Sequence, residues 1–303
     1  MCRDHKHVVL LSPFLGPAAL DWSEFASSIL TKGPTLEASG RLTMGTLTDK
    51  SAIVTGGGTG IGRACALRLA REGARITVAD IRDADAEETA RLVQAAGGQA
   101  IAVHCDIGKE TQVQAMTAHA VETWGSVDIL VANAGISSRS PLHELTLDDW
   151  NRVLRVNLTG TFLCAREALR VMLKQGHGGS IVTIGSVQSV VISGSGAASY
   201  KASKAGILML TRSIAAEYAD DGIRANCVCP GGVKTDMQDH MAQESSQWTS
   251  ANSYQARTYS FEPPIRTSAD PIEIANVVAF LASDEASFMT GAAVMVDGGL
   301  TAV

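Results

Sequence analysis

The sequence predicts an α/β protein built on a doubly wound parallel sheet, as a single domain with an inserted lid. Three observations carry that reading. From Lys50 onward, short apolar runs alternate with longer helical patterns, and strands separated by helices need crossover connections and a sheet covered on both faces. A glycine-rich segment, Thr55-Gly-Gly-Gly-Thr-Gly-Ile-Gly62, sits at the first strand-to-helix junction. The chain has 303 residues, 46% apolar and 18% charged, which is ample for a buried core.

The elements follow in order. Residues 51–55 read as a buried strand and 60–72 as a helix; 75–79 are a second strand, and 83–96 a helix with acidic residues in its first turn. Strands at 100–104 and 127–131 flank a helix at 109–124. A long helical stretch, 147–174, precedes a strand at 180–184, a helix at 199–219 and a strand at 223–228. A helix at 271–282 and a strand at 293–296 close the chain. Residues 1–43 keep no period and carry prolines and glycines at 13, 16, 17, 33, 34 and 40, so they read as a poorly ordered or appended N-terminal extension. The catalytic domain is then 44–303.

Composition excludes several classes. The net charge of −6 and the absence of a basic run argue against nucleic acid and against anionic membranes. The longest apolar run, 8–20, is broken by Ser12, Pro13, Gly16 and Pro17 and is too short to span a bilayer. Six cysteines without a C-x-x-C pair point away from a zinc site or disulfide framework, so no metal is expected and a reducing, cytoplasmic setting fits.

Glycines between a strand and a helix let the backbone approach a pyrophosphate, while the helix N-terminus supplies free N–H groups. Gly56, Thr59, Gly60, Ile61 and Gly62 are therefore candidate cofactor contacts. Asp80 ends the second strand 18 residues after Gly62. It can accept from ribose hydroxyls and repel a 2′-phosphate, which favours NAD, or it can cap the next helix. Arg82 and Arg63 can each reach a phosphate, so NADP stays open.

Tyr200-Lys-Ala-Ser-Lys204 places Tyr200 and Lys204 one helical turn apart. A free phenol, with a pKa near ~10, is a poor base at neutral pH, and a neighbouring ammonium stabilises its anion. Together with Gly56-Gly-Gly-Thr-Gly60-x-Gly62, Asn133-Ala-Gly135, Ser186 and Pro230-Gly231, this motif resembles the short-chain dehydrogenase/reductase family over residues 45–303. The resemblance implies a Rossmann-like fold, a nicotinamide cofactor, and interconversion of a secondary alcohol and a ketone by hydride transfer.

By resemblance, Tyr200 is the general acid/base, Lys204 lowers its pKa and holds the nicotinamide ribose, and Ser186 binds the substrate oxygen. Asn157 resembles the residue that positions a water behind the lysine. Ser186 as a turn cap and Asn157 as a buried polar bridge are the plain structural alternatives. Asp106 and Ile107 resemble adenine contacts, Asn133 and Gly135 the wall of the adenine ribose. Pro230, Gly231, Val233 and Thr235 resemble the nicotinamide carboxamide site. The family also implies a homotetramer or at least a dimer on the long helices, with Leu208, Leu210 and Ile214 as core or partner contacts.

Residues 236–268 occupy the family's lid position and hold Trp248, Tyr254, Tyr259 and Phe261, four of the 14 aromatics. Gln188, Val190, Val191 and Ile192 are further pocket candidates. An apolar pocket with few charges argues for a neutral small-molecule ketone or secondary alcohol, a cyclic or steroid-like one included. A 3-oxoacyl group on carrier protein or CoA is the alternative, weakened by Asp220 and Asp221 at the end of the Tyr200 helix, and a sugar ranks third.

Overall fold

Strand β1 (Ser51–Thr55) is buried along its whole length and divides the core in two: Ala52 and Val54 enter one cluster, Ile53 the other. That alternation is the period of two of a β-strand, and it requires a helical layer on each face. The computed structural model describes residues 45–192, 196–237, 262–265 and 268–302. The expected extension at 1–43 and most of the expected lid, Trp248, Tyr254, Tyr259 and Phe261 included, lie outside the described residues.

Helix α1 (Gly60–Arg71), strand β2 (Arg75–Asp80), helix α2 (Asp83–Ala95) and strand β3 (Gln99–His104) wind in one direction from β1. Helix α3 (Glu110–Trp124) crosses back to β4 (Ile129–Ala132) on the other side of β1. Then come α4 (Leu147–Leu154), a π-helical turn (Arg155–Gly160), α5 (Thr161–Gln175), β5 (Gly179–Ile184), α6 (Ala198–Glu217) and β6 (Ile223–Pro230). Helix α7 (Pro271–Ala282) and β7 (Ala293–Val296) complete the sheet. Its order is β3-β2-β1-β4-β5-β6-β7, every adjacent pair parallel. The winding reverses between β1 and β4, and that reversal opens a crevice at the carboxyl ends of the two strands.

Helices α1, α2 and α7 cover one face through Leu67, Leu69, Val93, Ile274 and Val278. Helices α3 and α5 and the end of α6 cover the other through Met116, Leu163, Met172 and Ile214. The predicted elements all form, with ends moved by one or two residues in most cases. The exception is the stretch 147–174, expected as one helix, which widens into the π-helical turn midway. Such a turn costs backbone regularity and recurs at functional positions; here it carries Asn157.

Candidate active site

The crevice holds a groove of about 520 Å³, lined at its floor by Gly56, Thr59, Gly60 and Ile61. Gly62 shows how closely this loop is packed: a Cβ there would stand 1.9 Å from the Gly56 carbonyl oxygen and 2.6 Å from Asn133 Nδ2. Asn133 Nδ2 donates to the carbonyls of Thr55 and Gly56 at 3.0 Å each. Its amide thus ties the loop to β4, while the residue still lines the groove. Thr59 stands at the N-cap of α1 with no side-chain cap bond, leaving the first-turn N–H groups for an anion.

At one end of the groove, Asp80 Oδ2 accepts from Gly58 N–H at 2.9 Å and Oδ1 from Arg82 N–H at 3.0 Å. Asp80 therefore does not cap α2, whose N-cap is Arg82. Arg82 lines the groove and is held by Asp85 at 2.8 Å and by the Thr59 hydroxyl at 3.1 Å. Arg63 is buried instead, its Nε donating to Thr89 at 2.9 Å. Asp106 and Ile107 line the same end, with Arg155 3.5 Å from Asp106 Oδ2.

Tyr200, Ser186, Lys204 and Asn157 are all buried. A Cβ on Gly135 would lie 3.3 Å from Asn157 Oδ1 and 3.6 Å from Lys204 Nζ. Lys204 Nζ donates to the Ile184 carbonyl at 2.6 Å and lies 5.6 Å from the centre of the Tyr200 ring. Burial pushes this amine down to about 8 against the opposing influence of the Cys227 and Cys229 thiols. The Tyr200 phenol is hydrogen-bonded to Ser186. Its pKa is raised, because burial outweighs that bond. The lowering expected from Lys204 does not figure among the influences on the phenol: the ammonium is itself weakened by the burial that raises the phenol.

Ser186 also caps the short turn Val187–Ser189, its Oγ accepting from Gln188 N–H at 3.1 Å while Ser189 Oγ accepts from Ser186 N–H at 3.2 Å. The capping alternative and the substrate-facing role therefore coexist, one lone pair serving the cap. Asn157 is a buried bridge: Oδ1 accepts from Ile136 N–H at 2.8 Å, and Nδ2 donates to the Ile136 carbonyl at 2.9 Å and to Ser203 Oγ at 3.0 Å. Ser203 in turn donates to the Tyr200 carbonyl at 2.7 Å. Sequence reasoning missed Ser203, although it sits within the Tyr200–Lys204 motif, one residue before the lysine.

Thr235 lines the groove with Asp236 and Met237, and its methyl group would stand 3.2 Å from a Cβ on Gly60. Val233 is buried in the core, and Gly231 N–H donates to the Val296 carbonyl at 3.0 Å, fixing the strand end after Pro230. Met237 and Ile136 pack against the cluster of Val153, Ala197 and Tyr200. Val190, Val191 and Ile192 are exposed in the described chain. Trp248 lies outside the described residues. Leu208 and Ile214 are core residues, whereas the exposed apolar side chain on α6 is Met209. Asp220 and Asp221 follow the far end of α6, roughly 25–30 Å from Tyr200 at ~1.5 Å per residue, so they say nothing about the substrate.

The crevice, with its glycine-lined floor at a helix N-terminus, Asp80 in its lining and a buried Ser–Tyr–Lys cluster, fits a nicotinamide dinucleotide. Residues 56–301 match the family model described as enoyl-(acyl carrier protein) reductase. The chain is 41% identical over 256 residues to cis-4-hydroxycyclohexanecarboxylate dehydrogenase of Sinomonas cyclohexanicum, covering 84% of this chain and 98% of that relative. Glucose 1-dehydrogenase 2 of Bacillus subtilis is 38% identical over 257 residues, covering 84% and 96%. Among solved structures, a short-chain type dehydrogenase/reductase from Mycobacterium marinum aligns with a TM-score of 0.78 at 33% identity, over 85% of this chain and 97% of the other.

Proposed function

Because the chain belongs to the short-chain dehydrogenase/reductase family and is an oxidoreductase of CH–OH groups, we propose that it interconverts a secondary alcohol and a ketone with NAD, using Tyr200 as the general acid/base. The observation that carries this reading is the hydrogen bond between Tyr200 and Ser186 beside Lys204. Two hydroxyls meeting at one point suit a single substrate oxygen that changes between hydroxyl and carbonyl.

Gly56, Thr59, Gly60, Ile61 and Gly62 would hold the pyrophosphate, Asp80 the adenosine ribose, Asp106 and Ile107 the adenine. Lys204 would hold the nicotinamide ribose, with Gly135, Val233 and Thr235 around the ring. The bound cofactor supplies a hydride acceptor or donor. In oxidation Tyr200 Oη takes the hydroxyl proton while the C–H bond gives up its hydride; in reduction Tyr200 returns that proton. Ser186 Oγ holds the oxygen as its charge develops. Asn157 acts through others, fixing the loop after β4 against α6.

Reduction of a 3-oxoacyl thioester is the second reading; the description of the matched family names an acyl carrier protein, though for the reduction of an enoyl C=C bond rather than of a ketone. The Ser186–Tyr200 pair serves its ketone equally well. The test is Tyr200→Phe, assayed with NAD and a panel of cyclic alcohols and, in reverse, with a 3-oxoacyl thioester. Turnover should fall by at least a hundredfold while the NAD dissociation constant changes less than threefold, since general acid–base groups contribute about 10²–10⁴. Retention of a tenth of wild-type turnover would remove Tyr200 from the role, and the better substrate decides between the readings.

A further inference from the structure

Ser203 closes a ring of contacts around Tyr200. From within α6 its hydroxyl donates to the Tyr200 carbonyl, three residues back, at 2.7 Å and accepts from Asn157 Nδ2 at 3.0 Å. Asn157 Nδ2 also donates to the Ile136 carbonyl, and Oδ1 accepts the Ile136 N–H. The Ile136 side chain completes the ring, packing against the cluster of Val153, Ala197 and Tyr200. A hydroxyl has one proton to give. Ser203 spends it on Tyr200, so only lone pairs face the amide. Both hydrogens of Asn157 Nδ2 are likewise in use. Ser203 and Asn157 are each 0% exposed, and in a site without solvent each bond of such a network holds its neighbours in place.

We infer that Ser203 is a positioning residue for the reaction: acting through Asn157, it sets the spacing between Tyr200 and the Gly135–Ile136 loop. This rests on the dehydrogenase reading above and adds a residue to it. Ser203 does not line the groove, so its removal leaves the cofactor contacts in place. Without its hydroxyl, one Nδ2 hydrogen loses its acceptor in a dry setting; the amide turns to find another, and Ile136 moves with it. Tyr200 then keeps its phenol and loses its fixed spacing to the loop. A displacement on the order of 1 Å costs about 10² in rate. The loss falls on kcat, because binding of substrate and cofactor does not require that spacing.

The test compares wild type with Ser203→Ala, Ser203→Thr, Asn157→Ala and the Ser203→Ala/Asn157→Ala double variant, oxidising a panel of alcohols with NAD. Rates are expressed per NADH-binding site, so that unfolded molecules do not enter them. Ser203→Ala should lower kcat at least tenfold, with KM and the NADH dissociation constant changed less than threefold. Ser203→Thr, which keeps the hydroxyl, should recover most of that loss. The double variant should be within about twofold of Asn157→Ala, since a residue acting through Asn157 then has nothing left to act on. An unchanged kcat in Ser203→Ala overturns the inference, as does a double variant slower than Asn157→Ala by the full Ser203→Ala factor. Urea unfolding of the same proteins reads the ring with no reaction: the two single effects on the unfolding equilibrium should be non-additive by at least fivefold. Absent turnover by wild type with that non-additivity in place marks failure of the dehydrogenase reading. Turnover by wild type with additive unfolding effects marks failure of this inference alone.

Discussion

Asn157 and Ile136 exchange two hydrogen bonds, Ile136 N–H to Asn157 Oδ1 at 2.8 Å and Asn157 Nδ2 to the Ile136 carbonyl at 2.9 Å. The pair joins the π-helical turn to the loop after β4, and the same amide reaches α6 through Ser203. Asn157→Ala would leave the Ile136 N–H and carbonyl without these partners in a buried setting, at a cost of about 2–4 kcal/mol. Urea denaturation should show that loss with an unchanged m-value. A change under 1 kcal/mol would mean that water replaces the amide and that the bridge is dispensable.

Lys204 gives the protein's stability a pH signature. Its amine sits at about 8 in the fold against an ordinary 10.5, so between those values the unfolded chain binds more protons than the native one. Stability therefore rises with pH across that window, and below it the buried ammonium costs about 3 kcal/mol at ~1.4 kcal/mol per unit. Lys204→Met removes the cost and the slope together. Unfolding free energies measured at pH 7, 8.5 and 10 should show the variant gaining on wild type at pH 7, with the advantage shrinking by pH 10. A wild-type-minus-variant difference that does not change with pH would refute this account.

Asp80 sets the cofactor preference we propose. Its Oδ2 accepts from Gly58 N–H at 2.9 Å, so Asp80→Asn keeps an acceptor there and removes only the charge. Affinity for NAD relative to NADP should fall by at least tenfold, ~1.4 kcal/mol, read by titrating both cofactors against intrinsic fluorescence. Should wild type already bind NADP more tightly, Arg82, which shares the groove, outweighs the carboxylate.

Assembly is the remaining proposal. Phe162 and Leu173 on α5 are each 42% exposed and Met209 on α6 is 59% exposed, a large apolar share for helices that face water. Burial of these faces against a second copy fits the dimer or homotetramer implied by the family resemblance. Light scattering at micromolar concentration should report a multiple of the 31.7 kDa chain. Phe162→Glu/Met209→Glu should reduce it to a monomer, and a monomeric wild type would reject the assembly.

Much of this protein is written locally along its chain. Periods of two and of 3.6 residues decide strand or helix wherever one face must be apolar, and for that reason β1, α7 and β7 were legible to the residue. The Tyr200–Lys204 spacing likewise places both side chains on one helix face whatever surrounds them. Other properties depend on neighbours far away in sequence. Asn157 meets Ile136 across 21 residues and Ser203 across 46, and only the packed helices determine that its amide serves as a bridge. The widening of the 147–174 helix into a π-helical turn is a backbone adjustment within the packed fold that the helical pattern of the sequence does not mark. The directions in which the Tyr200 and Lys204 pKa values move follow from burial, and burial is the sum of every segment that closes over a site. Local chemistry selects the elements and their motifs; the exclusion of water, which sets charge and affinity, arises only when those elements pack.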